Sequence, residues 1–178
     1  MNIVYLNGKF LPIDQASISP MDRGFLFGDG IYEVIPSYGG RLVGFDLHIS
    51  RMEAGLTELE IDISLTTKGW LEIINKLLEQ NDTDNLGIYL HVTRGADTRR
   101  YHAYPKGITP TIFAYTFNIP PPPTANKMLA PKFSCATAED KRWKRCNIKS
   151  TSLLGNVMHF QWGYEKNENE VILYNSDQ

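Results

Sequence analysis

Four consecutive prolines, Pro120 to Pro123, constrain the fold of this 178-residue chain more than any other sequence feature. Proline lacks a backbone N–H and fixes φ, so such a run favours a stiff, extended connector over a helix or a central strand. Only about 50 residues follow it, and units of that size rarely build an adequate core alone. We therefore predict an N-terminal domain over residues 1–118, a proline-rich linker over 119–126 and the start of a second domain over 127–178.

The composition is that of an ordinary globular protein. Hydrophobic residues make up 42% and charged residues 21%, and the net charge of −2 gives no electrostatic case for nucleic-acid binding. No apolar run reaches the roughly 18 residues of a membrane span, and the first residues lack the layout of a signal peptide. The two cysteines, Cys135 and Cys146, have no metal-ligand spacing. We therefore expect a cytoplasmic protein with reduced thiols and no nucleic-acid, membrane or metal partner.

The pattern of side chains along the chain predicts both helices and strands. Apolar residues recur at helical spacing in some segments, and β-branched and aromatic residues fill others. Asn7-Gly8 suits a tight hairpin turn, a glycine-containing loop is predicted over 22–30, and Ser150 or Thr151 is the expected N-cap of the last helix. The predicted strands are 3–6, 9–11, 31–38, 86–93, 109–117, 132–136 and 170–174, and the predicted helices are 45–59, 67–80 and 150–165.

Lys149 is the most informative candidate for chemistry. It ends a polar, basic run that begins at Arg142, and it precedes the last predicted helix. A lysine that is partly desolvated among other cations loses its proton more easily, and a neutral amine can form a Schiff base with an aldehyde cofactor. A single lysine is most often simply solvated, so this interpretation depends on the rest of the chain.

Three further motifs lie before the proline run. Met21 to Val34 carries closely spaced glycines that permit tight turns, and His48-Ile49-Ser50-Arg51 ends in an arginine whose paired donors suit a phosphate. The third motif is Tyr89 on a strand followed by the stretch 93–105, which holds three arginines and a histidine that suit a small carboxylate. Taken singly, each also fits a simpler alternative: a glycine-rich turn, a surface arginine or a solvated basic loop.

Together these motifs resemble the fold-type IV, or class IV, pyridoxal-phosphate aminotransferases, and among them most closely the D-amino-acid aminotransferases. The most specific stretches are Asp22-Arg23-Gly24, residues 27–34, His48 to Arg51, Val92 to Gly95, and Arg142-Trp143 through Gly155. The resemblance implies an α+β, two-domain architecture in which the N-terminal α/β sandwich domain is complete and the C-terminal domain has only begun. It also implies a homodimer that uses pyridoxal 5′-phosphate to move an amino group between a D-amino acid, such as D-alanine, and a 2-oxo acid.

The resemblance also assigns roles around the cofactor. Lys149 matches the lysine that forms the Schiff base, and Tyr32 matches the tyrosine beside it. Arg51 matches a phosphate ligand, and Arg142 matches a supporting arginine of the cofactor pocket.

Further positions match residues that contact the substrate. Those matched to the substrate side of the pocket are Tyr32, Glu33, Val34 and Tyr89. His102 matches a histidine that traps the substrate α-carboxylate together with an arginine. Because this loop carries one extra residue, either Arg99 or Arg100 fills the arginine's role, and Arg100 keeps the two-residue spacing to His102.

The match lacks two features that the family places after the strand corresponding to residues 170–174. One is the carboxylate that pairs with the pyridine nitrogen, and the other is a Ser/Thr-rich phosphate loop; the chain ends at Gln178. We therefore expect a C-terminally truncated family member whose transaminase activity is impaired. The alternatives are a branched-chain aminotransferase or an aminodeoxychorismate lyase of the same family, or a catalytically inactive fragment.

Overall fold

The computed structural model describes residues 2–81 and 84–175, and the chain divides into two compact units. The first comprises Met1–Pro121 together with Ile148–Thr151, and the second comprises Pro122–Asn147 and Ser152–Gln178. The chain leaves the first unit within the proline run. Both units combine helices with strands, which confirms the expected mixture of α and β structure.

A six-stranded sheet organises the first unit. Its strands are β1 (Ile3–Leu6), β2 (Lys9–Pro12), β3 (Gly30–Tyr38), β4 (Arg41–Leu42), β5 (Asn85–Thr93) and β6 (Thr111–Asn118). They lie in the order β2-β1-β6-β5-β3-β4, and every neighbouring pair is antiparallel. Asn7 and Gly8 make the predicted hairpin turn, with φ values of 47° and 90°. The sequence did not predict β4, because two residues carry too little periodicity.

Three α-helices lie in the described part of this unit, namely α1 (Arg23–Phe27), α2 (Phe45–Glu58) and α3 (Thr67–Gln80). The structure confirms the two predicted helices, α2 and α3. Their apolar faces contribute Met52 and Trp70 to a core that also includes Ile35 and Leu90 of the sheet. The stretch predicted as a loop contains α1, which begins because the Asp22 carboxylate caps it by accepting the N–H of Gly24 at 2.8 Å.

The opposite face of the sheet is aromatic. Because side chains alternate along a strand, Tyr32 and Val34 of β3 project away from the core to which Ile31 and Ile35 belong. Tyr89 of β5 contributes to this aromatic face: it is opposite Val34 in the strand register, and its ring centroid lies 5.7 Å from that of Tyr32. The sheet therefore separates an apolar core from an aromatic surface.

The second unit contains β7 (Cys135–Glu139), α4 (Leu154–Tyr164) and β8 (Glu170–Tyr174). The two strands are parallel, and α4 lies between them in sequence. Strand 132–136 was predicted three residues too early. The predicted helix start at residue 150 was also wrong, because Ser150 is extended and pairs with Ile31 instead of capping a helix. None of the helices in the described part of the chain has both the length and the apolarity to cross a membrane.

Candidate active site

Lys149 lies in a short extended segment, Ile148–Thr151, that pairs with the start of β3. Ser150 and Ile31 form an antiparallel bridge, and the Tyr32 N–H donates to the Lys149 carbonyl at 3.1 Å. This pairing makes Tyr32 the cross-strand neighbour of Lys149. Cross-strand neighbours project to the same face of a sheet, so the pairing determines where the lysine side chain lies.

The residues that flank Lys149 anchor this segment. The Thr151 N–H donates to the Gly30 carbonyl at 3.0 Å, and the Thr151 hydroxyl donates to the Gly28 carbonyl at 3.1 Å. On the other side, Ile148 is buried in the core. A Cβ at Gly30 would lie 2.6 Å from the Val92 carbonyl oxygen, so only glycine fits there without a shift. The glycine-rich motif thus provides the backbone on which the lysine segment packs.

The Lys149 amine lies at one end of the aromatic face. Its Nζ is 4.1 Å from the centroid of the Tyr32 ring, a distance at which a cation is attracted to the ring. Burial raises the pKa of the neighbouring Tyr89 phenol to about 12, with smaller contributions from Tyr115 and Tyr32. Tyr89 therefore stays protonated at neutral pH. The structure brings together Lys149, Tyr32 and Tyr89, which the sequence predicted for one site.

Glu33 forms a charged cluster with two side chains of α2. Its carboxylate is fully buried, accepts hydrogen bonds from Arg51 Nε and Nη2 at 2.5 and 2.7 Å, and lies 2.8 Å from His48 Nδ1. Burial by itself raises the pKa of Glu33, but the hydrogen bonds from Arg51 and His48 outweigh it and lower the pKa. The bond to Glu33 in turn raises the pKa of Arg51, and the nearby Tyr32 phenol contributes to this shift.

The expectation that Glu33 and Val34 both line the substrate side does not fit this strand. Successive side chains of β3 point to opposite faces, so Val34 joins Tyr32 and Tyr89 while Glu33 faces α2. Both Glu33 oxygens are already engaged by Arg51 or by His48. The contacts of Glu33 are those of a residue that orients Arg51.

Sequence reasoning quoted His48 as part of a motif but assigned it no role. It lies three positions before Arg51, so the two side chains share one face of α2. Its Nδ1 lies 3.4 Å from Arg51 Nη2 as well as next to Glu33. The i, i+3 spacing of two basic residues could have identified this pair.

The loop after β5 brings Arg100 and His102 to the same aromatic ring. The ring centroids of His102 and Phe27 are 5.3 Å apart, and the Arg100 guanidinium carbon lies 5.1 Å from the Phe27 centroid. Arg99 instead lies over Tyr101, at 4.7 Å from its centroid. Of the two candidate arginines, Arg100 is therefore the one that shares a contact with His102.

Three charged residues of the quoted motifs have contacts that the sequence analysis did not predict: Arg23 and Asp29 had no role assigned, and Arg94 was counted among the loop arginines suited to a carboxylate but instead binds Asp29. Asp29 accepts hydrogen bonds from Arg23 at 2.7 Å and from Arg94 at 2.8 and 3.0 Å, and all three side chains are at most 10% exposed. Each of these residues is directly next to a glycine, in Asp-Arg-Gly, Gly-Asp-Gly and Thr-Arg-Gly. Charged residues beside obligatory turns are the sequence signal that could have found them.

Arg142 lies in the second unit and forms a paired ion bridge with Asp140. Its Nε and Nη2 donate to the two carboxylate oxygens at 3.0 and 2.7 Å. The hydrogen bond from Arg142 lowers the pKa of Asp140 to about 2, and the pKa of Arg142 is raised in turn. A Cβ at Gly155 would lie 3.2 Å from Arg142 Cγ, so α4 packs closely against this side chain. Its role in a cofactor pocket stays a prediction.

Comparison with known sequences gives one family. The family model described as amino-transferase class IV matches residues 30–178. A D-alanine aminotransferase of Staphylococcus epidermidis is 37% identical over 178 residues, which cover 99% of this chain and 62% of that protein. A D-alanine aminotransferase of Bacillus licheniformis is 40% identical over 170 residues, covering 96% of this chain and 59% of that protein. The chain therefore spans less than two thirds of the length of either relative.

Comparison with solved structures gives the same fold. A branched-chain amino acid aminotransferase from Escherichia coli superimposes with a TM-score of 0.83 at 14% identity, covering 99% of this chain and 59% of that one. A branched-chain aminotransferase from the thermophilic archaeon Thermoproteus uzoniensis, with norvaline, gives 0.80 at 14% identity, with coverages of 98% and 60%. A hypothetical aminotransferase from Mycobacterium tuberculosis in its PLP-bound form gives 0.77 at 17% identity, with coverages of 98% and 62%. These similarities confirm the predicted fold.

Proposed function

The chain belongs to the amino-transferase class IV family, and on that premise we propose that it acts on a D-amino acid and a 2-oxo acid through Lys149. The observation that carries the proposal is the Lys149 amine, 4.1 Å from the centroid of the Tyr32 ring. Backbone hydrogen bonds to the Lys149 carbonyl and from Thr151 fix the backbone that carries this amine. A reactive lysine needs such a fixed position beside its partner groups.

Pyridoxal 5′-phosphate fits the donor set at the start of β3. Lys149 supplies a primary amine for its aldehyde, and Arg51 supplies a guanidinium for its phosphate. In the described part of the chain, the hydrogen bonds of Arg51 use only Nε and Nη2, which leaves its Nη1 side for an anion. When bound, the cofactor supplies an electrophilic carbon and a ring that accepts electrons. The family resemblance adds Arg142 as a supporting cation.

Proton transfer, charge stabilisation and orientation of the anion site would then fall to Lys149, Tyr32 and Glu33. The Lys149 amine would take the proton from the substrate Cα and deliver it to the former aldehyde carbon of the cofactor, and a positioned base of this kind typically contributes about 10²–10⁴-fold. The face of the Tyr32 ring stabilises the cationic form of that amine between the two transfers. Glu33 keeps the Arg51 guanidinium in one orientation, so the anion site is formed before the ligand arrives.

Arg100 and His102 support a carboxylate site for the substrate. Both contact the Phe27 ring, and a guanidinium with an imidazole is a donor pair suited to one small carboxylate. The relatives named D-alanine aminotransferases, at 37% and 40% identity, favour a D-amino acid as the donor. The branched-chain aminotransferases share the fold at 14% identity, so an L-branched-chain amino acid is the second candidate.

A panel of amino acids tests this proposal. The chain is loaded with pyridoxal 5′-phosphate, mixed with D-alanine, L-alanine or L-leucine, and the 2-oxo acid formed per bound cofactor is measured. We expect product from D-alanine, at a rate below that of longer relatives because these 178 residues span 62% of one of them. Product from L-leucine instead would identify a branched-chain enzyme, and no product from any substrate would contradict an amino-transfer role for the chain alone. The homodimer and the cytoplasmic location are further proposals from the family.

A further inference from the structure

We infer that Arg23 is a positioning residue for Arg100 and His102, with Asp29 and Phe27 as its partners. The stretch from Asp22 to Asp29 would then form the base of the carboxylate site. The inference rests on the proposed function for the ligand of Arg100 and His102. How the loop is held follows from contacts that are independent of that ligand.

Arg23 binds the backbone of the loop that carries these two residues. It is 3% exposed, and its Nε pairs with Asp29 at 2.7 Å. Its Nη1 donates to the Tyr101 carbonyl at 2.5 Å and reaches the Ala103 carbonyl at 3.5 Å, and its Nη2 donates to the His102 carbonyl at 3.1 Å. A planar guanidinium offers five N–H groups in fixed directions, which a lysine ammonium does not. Three successive carbonyls are therefore fixed around one buried side chain.

Arg94 ties the far end of the loop to the same carboxylate. It donates to Asp29 and also to the carbonyls of Leu59 and Glu60, at 2.7 and 3.1 Å. Its guanidinium carbon lies 3.6 Å from the centroid of the Tyr104 ring. Because Asp29 bridges the two arginines, the carbonyls bound by Arg23 and the ring of Tyr104 are both held by one network.

Phe27 connects this network to the two side chains above it. Arg23 and Phe27 are one turn apart on α1, so they share a face, and the Arg23 guanidinium carbon lies 4.9 Å from the ring centroid. His102 and Arg100 contact the same ring. Residues of α1 thus position the side chains of Arg100 and His102 and the backbone of His102 with its two neighbours.

Arg23→Lys tests the inference, because it keeps the positive charge and removes the forked donors. The readouts are hydrogen exchange of the amides in residues 99–104, the ring resonances of His102, and the dissociation constant for D-lactate, a carboxylate that has no amino group to transfer. We expect faster exchange in this loop, a shifted His102 signal and about tenfold weaker D-lactate binding, since two or more hydrogen bonds are lost. Arg41→Lys, at an exposed position of β4, is the matched control and should change none of these.

The outcomes separate this inference from the proposed function. The inference is overturned if folded Arg23→Lys shows unchanged amide exchange in this loop and an unchanged His102 signal. It is also overturned if amide exchange becomes faster evenly over the first unit, because that result indicates a purely stabilising role. If Arg100→Met leaves D-lactate binding unchanged, the proposed carboxylate site fails while the loop measurements still decide the role of Arg23. Should Arg23→Lys not fold, Asp29→Asn removes the shared carboxylate and is read by the same measurements.

Discussion

The two units differ in how completely their helices are covered. In the first unit, Trp70 and Ile74 of α3 have no exposed surface. In the second, Leu154 and Met158 of α4 are 73% and 65% exposed, and the buried residue of that helix is Gly163. Full burial of a large apolar side chain contributes about 1.5–3 kcal/mol, so the first unit has much the larger source of stability.

This difference bears on Lys149, the proposed reactive lysine. In sequence, Lys149 lies between two stretches of the second unit, yet its segment belongs to the first. Its backbone pairs with β3, and its neighbour Ile148 is buried in the core. The geometry around Lys149 therefore depends on the better-packed unit, and the predictions below test that dependence.

The largest expected effect contrasts one core residue with one exposed residue. Trp70→Ala should lower the free energy of unfolding by about 3–5 kcal/mol, because it empties a fully buried site. Met158→Ala, on the exposed side of α4, should change it by less than about 0.5 kcal/mol. Urea titration followed by circular dichroism measures both. Equal effects would mean that the two units contribute alike to stability.

Glycine substitutions provide the second contrast. Gly30→Ala should destabilise the chain by roughly 1–3 kcal/mol, since the new Cβ would meet the Val92 carbonyl at 2.6 Å. Gly155→Ala would meet Arg142 Cγ at 3.2 Å and Cα at 3.5 Å, a milder crowding that a gain of up to about 1 kcal/mol in helix propensity offsets, so its net effect should be smaller. Amide exchange at Thr151, whose N–H bonds to Gly30, should accelerate only in the first variant. A neutral Gly30→Ala would argue against the tight pairing of the lysine segment.

The third prediction concerns acid stability. The folded pKa of Glu33 is lowered, so its stabilising contribution is present above the unfolded pKa of about 4.3 and is lost as the pH falls through the folded value. Glu33→Gln should lower the free energy of unfolding by about 1–3 kcal/mol at pH 7. It should also make the decrease of that free energy below pH 4.3 less steep. Glu72→Gln is the control, because its carboxylate is 68% exposed and its ion pair with Lys68 is worth little. If Glu33→Gln loses stability below pH 4.3 as steeply as the unmodified chain does, the assignment of this pH dependence to Glu33 is contradicted.

The smallest effect is expected at His91. Burial lowers its folded pKa, although Asp22 acts weakly in the opposite direction. As the pH falls, His91 is therefore protonated in the unfolded chain before it is protonated in the folded chain. Its contribution to stability is fully present above the unfolded pKa of about 6.5 and is lost as the pH falls below that value. His91→Gln should remove this slope, a difference of less than about 1 kcal/mol between pH 7.5 and 5.5. Urea midpoints at the two pH values measure it, and equal slopes in both proteins would refute it.

The sequence predicted long, strongly patterned elements well and short ones poorly. Strands β3 and β5 and helices α2 and α3 carry their periodicity over eight residues or more, and all four were found. The predicted helix start at Ser150 failed because pairing with Ile31 overrides a local capping preference. Local sequence could not reveal this, since the two residues are far apart in the chain.

In the candidate site, too, some residues were predictable from the sequence and others were not. Lys149 and Tyr32 were recognisable because each lies in a specific motif, and the structure brings them together. The face occupied by Glu33 depends on strand register, which the motif alone did not give. The bonds from Arg23 to carbonyls of residues 101–103 join positions about eighty residues apart and leave no periodic pattern in the sequence.

The most direct test of the central claim is to map where pyridoxal 5′-phosphate attaches. The chain is incubated with the cofactor, reduced with borohydride and digested, and the labelled peptides are quantified by mass spectrometry. We expect the label at Lys149, its loss in Lys149→Arg, and no change in Lys144→Arg, which alters a neighbouring exposed lysine. A label spread evenly over exposed lysines, and unaffected by Lys149→Arg, would contradict the assignment of Lys149 as the reactive lysine.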